Sequence, residues 1–441
     1  MKPLIRVPAS DVTAVADALR AALAGGPAVW PVPVGGFETR PSVAPQPADH
    51  ETRPSVAPQP ADPTWLVDDH IALVVETSGS TDAPKRVLLS ADALRASATA
   101  TEAALHGPGQ WLLALPLHYI AGAQVLVRSI VAGTEPVLLD GEHFDPAEFV
   151  AASARLDKRY PRYTSLVPVQ LQRLVDAAHS DPKVADALHV FDRILLGGQA
   201  ASPSLTLAAD TLGVRITRTY GSSETAGGCV YDGRALDGVA IRIVGDPSTG
   251  SGHRPSTGSG HGPSTGSGHG PSTGSGTGAV ELSGAMLADG YLGDPERTAA
   301  AFATDADGMR WYRTGDLGEL THDGTLRIRG RADDVIISGG VKVSLGDVER
   351  AVRAVPGFAD AVAVRVPDRE WGERAAVVAT RTDAAAASAG LGTLGAATDA
   401  ARLPPAARPV RVELVDALPL LASGKPDRRA LEARMRGGGD G

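Results

Sequence analysis

Short apolar runs alternate with amphipathic segments between residues 70 and 221, and this alternation restricts the possible folds more than any other property of the chain. The runs end in glycine or small polar residues and cover residues 70–78, 111–117, 135–139, 163–169, 193–198 and 215–221. The segments between them have helical periodicity and cover residues 90–106, 121–133, 145–156 and 170–179. Such runs are typical of parallel strands buried on both faces. The alternation therefore predicts a doubly wound α/β sheet.

Two internal repeats interrupt this pattern. A proline-rich repeat covers residues 38–63, and a Gly/Ser-rich repeat covers residues 247–278. Neither repeat has an apolar face, so both are predicted to be surface loops inserted in a folded scaffold rather than solenoid units. The second repeat contains His253, His261 and His269, but a Gly/Ser tract has no neighbouring groups to orient imidazoles on a metal. A solvated loop is therefore favoured there over a metal site.

Composition excludes several classes of function. The chain has 441 residues and a net charge of −9, which argues against a nucleic-acid-binding surface. No apolar run approaches the ~20 residues of a membrane-spanning helix, and the first residues lack the apolar stretch of a signal peptide. The single cysteine, Cys229, excludes a disulfide framework and a CxxC zinc site, which favours the cytoplasm. The oligomeric state stays open, and a homo-oligomer is possible.

Hydroxyl-rich and glycine-rich segments follow several predicted strands. Residues 77–85 (TSGSTDAPK) offer hydroxyls, a glycine and Lys85, which together can surround an anion. They do not form the GxxxxGK[ST] loop, because no glycine precedes Lys85; taken alone, a Ser/Thr-rich turn explains them equally well. Residues 219–225 (TYGSSET) combine an aromatic ring, a glycine, hydroxyls and a carboxylate that can bind Mg²⁺. Residues 196–200 form a second glycine turn at a strand's carboxyl end, where ligands bind in open α/β sheets.

Further motifs complete an ordered set. The set comprises the loop at 77–85, PLHYIAG (116–122), YGSSET (220–225), YRTGD (312–316), GRADDVIISGGVKV (330–343) and SGKPDR (423–428). In this order the motifs resemble those of the adenylate-forming superfamily of acyl-CoA synthetases. Within that superfamily, residues 115–122, 164–174 and 222–233 are most similar to the o-succinylbenzoate–CoA ligases of menaquinone biosynthesis.

The resemblance implies both a fold and a reaction. The fold is α/β, with a large N-terminal domain (residues 1–332) of two doubly wound sheets plus a small β-barrel. A small mobile α+β domain follows (residues 333–436). In the reaction, a carboxylic acid and MgATP give acyl-AMP and pyrophosphate, and the thiol of coenzyme A then displaces AMP. ATP, Mg²⁺ and coenzyme A are therefore implied, and the partners are small molecules.

Residue roles are carried over from the same motifs. The ATP phosphates would be held by Thr77, Ser78, Gly79, Ser80, Thr81 and Lys85. The pocket around the adenine would be formed by Tyr220, Gly221, Gly197, Gly198 and Gln199. Ser223 would contact the α-phosphate, Glu224 would bind Mg²⁺, and Asp316 and Arg331 would hold the ribose region. Lys425 matches the adenylation lysine, Asp333 the hinge, Gly339 and Gly340 the loop for the pantetheine arm, and His118 the gate beside the acyl pocket.

The motifs define the acyl site less well, and two residues depart from the family pattern. Ser165, Arg173 and Ser222 are candidates to bind a second carboxylate of the acid, although Arg173 also fits a solvated helix face. Asp82 stands where the family has glycine, and its charge would repel ATP phosphates. Leu345 stands where proline is usual, which predicts a looser turn.

Three alternatives stay open at this point. A benzoate-type CoA ligase or an enzyme that loads a carrier protein would share the adenylation motifs. A nucleotide-binding homologue without catalysis would share the fold.

Overall fold

The fold is taken from a computed structural model, which describes residues 1–33, 65–77, 84–105, 107–140, 144–245, 277–381, 390–421 and 425–437. The strands are β1 Lys2–Pro8, β2 Ala28–Val32, β3 Leu66–Val67, β4 Ile71–Thr77, β5 Lys85–Ser90, β6 Gln110–Leu113, β7 Val137–Leu138, β8 Arg162–Leu166, β9 Arg193–Leu196, β10 Ile216–Ser222, β11 Gly227–Tyr231, β12 Arg234–Ala235, β13 Ala240–Gly245, β14 Gly278–Ser283, β15 Gly290–Tyr291, β16 Phe302–Thr304, β17 Arg310–Leu320, β18 Leu326–Arg331, β19 Val335–Ser338, β20 Val341–Ser344, β21 Val362–Asp368, β22 Gly372–Thr380 and β23 Arg411–Val415. The helices are α1 Val12–Leu23, α2 Ala91–Ala104, α3 Ile120–Ala132, α4 Pro146–Ser153, α5 Pro168–Ala178, α6 Pro182–His189, α7 Pro203–Thr211, α8 Pro295–Ala301, α9 Leu345–Arg353, α10 Leu391–Ala400 and α11 Arg428–Gly437.

Two sheets carry the first half of the chain. The six-stranded first sheet has the order β15-β5-β4-β2-β1-β3, and the seven-stranded second sheet has the order β12-β11-β10-β9-β8-β6-β7. Strands β6 to β10 of the second sheet pair in parallel, as the alternation predicts. Helices α2 and α3 contact both sheets, and α4 to α7 cover the other face of the second sheet. The α/β class predicted for this region is confirmed.

The remaining strands form two smaller sheets. Where a small β-barrel was predicted, the structure has a five-stranded antiparallel sheet of β13, β14, β16, β17 and β18. The fourth sheet, of β19 to β23, is also five-stranded and lies wholly beyond residue 334. Its two faces are covered by α9 and α10 on one side and by α11 on the other.

Local boundaries follow from capping chemistry. Ser90 caps α2 as predicted, because its hydroxyl accepts a hydrogen bond from the Ala93 N–H at 3.1 Å. The strand predicted over residues 163–169 ends at Leu166 instead. Pro168 begins α5, and the Gln170 side chain accepts from the Val167 N–H at 3.0 Å, which ends the strand early.

Some predictions fall on other parts of the chain. The repeat at 38–63 and the three histidines of the second repeat lie outside the described residues, as does Asp82. Leu345 is buried as the first residue of α9, which Ser344 caps by accepting from the Asp347 N–H at 3.2 Å. Among the helices described, none has the length and apolar character needed to cross a membrane.

Candidate active site

Parallel pairing brings the predicted adenine-binding residues to one edge of the second sheet. Strands β8, β9 and β10 run in the same direction and end at Leu166, Leu196 and Ser222. Ser165, the turn at 197–199 and residues 220–223 therefore gather at the carboxyl edge. This is the edge at which open α/β sheets bind ligands.

Two glycines at this edge allow the backbones to approach closely. A Cβ atom on Gly197 would lie 2.5 Å from the Thr219 Oγ1, and one on Gly221 would lie 2.1 Å from the Gly227 carbonyl oxygen. No other residue fits either position without moving backbone or side chains. Gly198 has a φ of +83°, a conformation that favours glycine. Gly197 therefore lets the end of β9 approach Thr219 on β10 closely.

Tyr220 and Asp316 connect the second sheet with the third. The Tyr220 hydroxyl donates to the Asp316 Oδ2 at 2.6 Å. Burial, and then the adjacent charge of Asp316, raise the pKa of Tyr220, so its hydroxyl keeps its proton. Burial also raises the pKa of Asp316, while Tyr220 and Arg331 act against this rise. The pair presents an aromatic face next to a carboxylate, as an adenosine requires.

Arg331 connects this carboxylate with the predicted hinge. One of its terminal nitrogens lies 3.5 Å from the Asp316 Oδ1 and 3.1 Å from the Thr314 carbonyl oxygen. The other nitrogens bond both Asp333 oxygens at 3.0 and 3.1 Å. Burial pushes the pKa of Asp333 upward, but the bonds from Arg331 outweigh it and the pKa is lowered. One guanidinium thus holds Asp316 and Asp333, the predicted hinge residue, together.

A second cluster surrounds Glu224, which is 6% exposed. The Tyr291 hydroxyl donates to the Glu224 Oε1 at 2.9 Å. The Lys85 Nζ lies 5.6 Å from the centre of the Tyr291 ring. Burial and the charge of Glu224 raise the pKa of Tyr291, which keeps the donor protonated. The cluster brings one carboxylate and one ammonium to the same tyrosine, at the base of the predicted phosphate loop.

The donor set of this cluster fits Mg²⁺ bound together with a nucleotide. Within the described ranges, no group of three or more His, Cys, Asp or Glu side chains is arranged to hold a metal. A single buried carboxylate is nevertheless what Mg²⁺ uses when phosphate oxygens and waters complete its shell. Glu224 meets this requirement.

The phosphate loop is described only at its ends. Thr77 at the end of β4 pairs with Lys85 at the start of β5. The predicted phosphate-binding residues Ser78, Gly79, Ser80 and Thr81 lie outside the described residues. The two described ends are therefore paired with each other, and Lys85 lies close to Tyr291.

Lys425 belongs to the small unit that contains the fourth sheet. It approaches the carboxyl edge of the second sheet, which we call the nucleotide edge. The residue is exposed, yet surrounding protein desolvates its ammonium enough to lower the pKa. Asp316 and Glu224 act in the opposite direction, and Arg331 acts with the desolvation. The ammonium is therefore close enough to interact with both carboxylates of the site.

The candidate acyl residues have different surroundings. His118 is half-buried, with its ring centre 4.1 Å from that of Tyr119, and desolvation lowers its pKa. Ser165 is buried in β8, and Ser222 lies at the end of β10 near the Tyr312 hydroxyl. Arg173 instead lies on the exposed face of α5 and donates to the Phe144 carbonyl at 3.5 Å. Its placement corresponds to the solvated helix face and does not support the acyl role.

Gly339 and Gly340 form a two-residue turn between β19 and β20. Their φ values are +57° and +80°, which suits glycine in a tight hairpin. A Cβ atom on Gly339 would lie 2.6 Å from the Trp371 ring. The turn is therefore thin and packs against an aromatic ring.

Sequence reasoning missed Tyr291 and gave Tyr312 no role, although Tyr312 is the first residue of the YRTGD motif. Tyr291 lies in none of the motifs and is 67 positions from Glu224 along the chain. The available signal was indirect, because a buried carboxylate needs a donor.

The fold and this edge define the class of protein. The profile of the AMP-binding enzyme family matches residues 12–257, and the profile of the AMP-binding enzyme C-terminal domain matches residues 347–425. The chain belongs to the AMP-binding enzyme family, whose fold is mixed α/β with a large N-terminal and a small C-terminal domain.

One similar sequence and two similar solved structures give a more specific comparison than the family profiles. A probable 2-succinylbenzoate–CoA ligase of Mycobacterium tuberculosis is 38% identical over 383 residues, which are 85% of this chain and 87% of the relative. An amide bond synthetase of Marinactinospora thermotolerans has a TM-score of 0.68 and 26% identity, covering 98% of this chain and 80% of that one. The o-succinylbenzoate CoA synthetase of Bacillus subtilis, solved with its acyl-adenylate intermediate, has a TM-score of 0.64 and 24% identity. That match covers 82% of this chain and 69% of that one, and it concerns the fold.

Proposed function

We propose that the acid activated by this AMP-forming CoA ligase is 2-succinylbenzoate, and that the chain serves menaquinone biosynthesis in the cytoplasm. The observation that carries the catalytic part is the bond of 2.6 Å from Tyr220 to Asp316 at the carboxyl edge of the second sheet. The similarity to a probable 2-succinylbenzoate–CoA ligase over 85% of the chain supports the choice of acid.

In the first half-reaction a carboxylate oxygen of the acid attacks the α-phosphorus of ATP. The bond from that phosphorus to the bridging oxygen breaks, and pyrophosphate leaves. Negative charge grows on the α-phosphate, and the Lys425 ammonium is the group that would stabilise it. Lys85, Thr77 and the loop at 78–81 would hold the outer phosphates, with Ser223 at the α-phosphate. Mg²⁺, bound through Glu224, would neutralise phosphate charge.

The nucleoside would be held at the same edge. Tyr220 offers its ring to adenine beside the turn of Gly197, Gly198 and Gln199, and Gly221 leaves room for the phosphates. Asp316 is the acceptor for the ribose hydroxyls, because its acceptor-only carboxylate is fixed by Tyr220 at 2.6 Å. Arg331 holds that carboxylate in place.

In the second half-reaction the sulfur of coenzyme A attacks the acyl carbon. The carbon–oxygen bond to AMP breaks, AMP leaves and the thiol loses its proton. The thin Gly339–Gly340 turn suits the passage of a narrow pantetheine arm. Since Lys425 and this turn belong to the same small unit, we infer a division into residues 1–332 and 333–436. We infer that the second part rotates about Asp333 between the half-reactions.

The acid would lie between His118 and the ends of β8 and β10. The lowered pKa of His118 leaves its ring uncharged near neutral pH, so it can form an apolar wall beside an aryl group. The hydroxyls of Ser165 and Ser222 are the candidates to bind the second carboxylate. Arg173 is not included, because it lies on the exposed face of α5.

The decisive experiment measures pyrophosphate release and free CoA thioester over a panel of acids. We expect 2-succinylbenzoate to give the highest kcat/KM, above benzoate and aliphatic acids. A preference for benzoate would contradict the proposed acid. Thioester found only on a carrier protein would identify a loading enzyme, and no pyrophosphate with any acid would identify a non-catalytic homologue.

Lys425→Ala tests the mechanism within the same assay. Loss of one positioned charge in a transition state costs roughly 10²-fold or more, so acyl-AMP formation should fall by that factor. Supplied acyl-AMP should still react with coenzyme A at nearly the wild-type rate. Equal loss of both half-reactions would contradict the assignment of Lys425 to adenylation.

A further inference from the structure

A partly buried ion pair lies three residues beyond Lys425 along the chain. The Arg428 guanidinium donates to the Glu349 Oε2 at 2.7 Å and to the Ala363 carbonyl oxygen at 2.6 Å. Glu349, on α9, is only 9% exposed. Its carboxylate also accepts from the Ala363 N–H at 3.2 Å and pairs with Arg353 at 2.7 Å. Arg428 is thus fixed to α9 and to β21 at once.

The segment in front of Arg428 is paired with a second segment by backbone bonds. The Leu421 N–H donates to the Lys425 carbonyl at 2.8 Å, and the Asp427 N–H donates to the Pro419 carbonyl at 2.8 Å, which pairs residues 419–421 with residues 425–427. In residues 419–421 the leucine side chains are solvent-facing, with Leu420 at 52% and Leu421 at 37% exposure. The backbone bonds hold the two segments to each other, and the Arg428 side chain attaches the second one to α9 and β21.

Arg428 supplies this attachment three residues after Lys425. Its planar fork makes two directed bonds, to a carboxylate and to a backbone carbonyl, which fixes orientation as well as distance. Its Nε also lies 3.8 Å from the Asp334 Oδ2, next to the predicted hinge. Arg428 consequently attaches residues 425–427 to α9, to β21 and to the residue after the predicted hinge.

We propose that Arg428, held by Glu349, is a positioning residue that fixes residues 425–427, and with them Lys425, for acyl-adenylate formation. The inference rests on the proposed function, because it needs Lys425 to act in adenylation. Arg428 acts through Lys425 and is assigned no contact with substrate. Displacement of a reacting group by about 1 Å costs roughly 10²-fold in rate, so loss of this attachment should be visible.

The test compares the two half-reactions in Arg428→Gln and Arg428→Lys. Acyl-AMP formation, measured as pyrophosphate release, should fall about 10- to 100-fold in Arg428→Gln, mainly in kcat. Reaction of supplied acyl-AMP with coenzyme A should stay within about threefold of wild type, because that step does not use Lys425. Arg428→Lys keeps the charge but not the fork, so it should restore only part of the adenylation rate.

Arg434→Gln is the matched control. Arg434 lies on the same helix, α11, and is paired with Glu413, but its side chain is 55% exposed. Both half-reactions should stay at the wild-type level in this variant. Glu349→Gln should reproduce the selective loss of Arg428→Gln, and the double variant should be no worse than either single one.

The possible outcomes separate this inference from the proposed function. If the wild type forms no acyl-AMP from any acid, the proposed function fails. If the wild type is active and Arg428→Gln loses both half-reactions equally, or loses its fold together with Arg428→Lys, the residue is structural and the inference is overturned. An adenylation rate in Arg428→Gln equal to that of Arg434→Gln overturns it as well.

Discussion

At the scale of single residues, the hydrogen bond between Tyr220 and Asp316 joins two sheets at the nucleotide edge. It is 2.6 Å long and partly buried, and Arg331 approaches the second carboxylate oxygen to 3.5 Å. Because the ring and the carboxylate hold each other, each proposed contact to adenosine depends on the other. Removal of the hydroxyl alone isolates this dependence while the ring is kept.

Tyr220→Phe should therefore impair ATP use more than acid use. Hydrogen bonds to charged groups contribute about 1.5–3 kcal/mol, and the lower end of this range predicts a fall of about tenfold in kcat/KM for ATP. The KM for the acid should change little. Tyr160→Phe is the control, because Tyr160 is 41% exposed and lies outside the site. An equal effect on ATP and acid would contradict the nucleotide role.

The pH dependence of adenylation should report the environment of Lys425. The group must be an ammonium to act, and its pKa is lowered, chiefly by desolvation. A lowered pKa means that the ammonium is lost at a lower pH than the ~10.4 of an ordinary lysine. The kcat/KM for pyrophosphate release should thus fall on the alkaline side below that value. In Lys425→Arg the alkaline fall should disappear, since a guanidinium stays charged; its persistence would assign the fall to another group.

Motifs identified single residues well when their chemistry was local. Tyr220, Asp316 and Glu224 lie in short segments whose composition alone indicates nucleotide chemistry, and the structure gathers them near one another. Tyr291 could not be predicted in this way. Its contact with Glu224 arises from the pairing of β15 with β5, which joins residues some two hundred positions apart. For Arg173 the sequence left both an acyl role and a solvated helix face open, and the structure places it on the exposed face of α5.

At the scale of elements, the β19–β20 turn depends on two glycines for different reasons. Both have positive φ, and a residue with a Cβ atom pays roughly 1–2 kcal/mol in that conformation. A Cβ atom on Gly339 would in addition lie 2.6 Å from Trp371, whereas Gly340 has open space around it. The two positions thus separate backbone strain from steric clash.

Alanine substitutions should follow a fixed order of thermal stability. Gly340→Ala should lose about 1 kcal/mol from strain, and Gly339→Ala should lose more because the Trp371 ring must move. Gly392→Ala, in α10 with no atom within 4 Å, is the control and should be neutral or stabilising. Both turn variants should slow the reaction of supplied acyl-AMP with coenzyme A and leave pyrophosphate release unchanged. A reversed order of Tm values would contradict the packing argument.

Elements with strong periodicity were predictable, and those marked only by caps were missed. Asp181 caps α6 and Ser202 caps α7, and a proline follows each cap. Both cap side chains accept hydrogen bonds from backbone N–H groups. Cap and proline together are a start signal that the sequence reasoning had not used here. The helices are short, so their periodicity was too weak to reveal them.

At the scale of the whole molecule, the relative position of the two proposed domains is the property that the sequence carried least. Lys425 approaches Asp316 and Glu224 only because the fourth-sheet unit docks on the nucleotide edge. Among the described residues, this docking includes the bond of 2.7 Å from Arg350 to the Arg329 carbonyl. Such contacts have no periodic pattern in the sequence.

A proline at position 332 should hold the molecule in the arrangement seen here. Ala332 begins the short 3₁₀ turn Ala332–Asp334, and Arg331 before it is extended, with φ −89° and ψ 144°. Proline fits the first position of such a turn and requires an extended residue before it, so Ala332→Pro suits this arrangement while it leaves the Arg331 and Asp333 side chains intact.

Because this arrangement brings Lys425 to the nucleotide edge, pyrophosphate release should stay within about threefold of wild type. Rotation needs new backbone angles at the hinge, and the fixed φ of proline opposes them, so the reaction of supplied acyl-AMP with coenzyme A should slow by tenfold or more. Ala332→Gly, which frees the same angle, should spare both steps. Slower pyrophosphate release with an unimpaired second step in Ala332→Pro would show that this arrangement serves thioester formation instead.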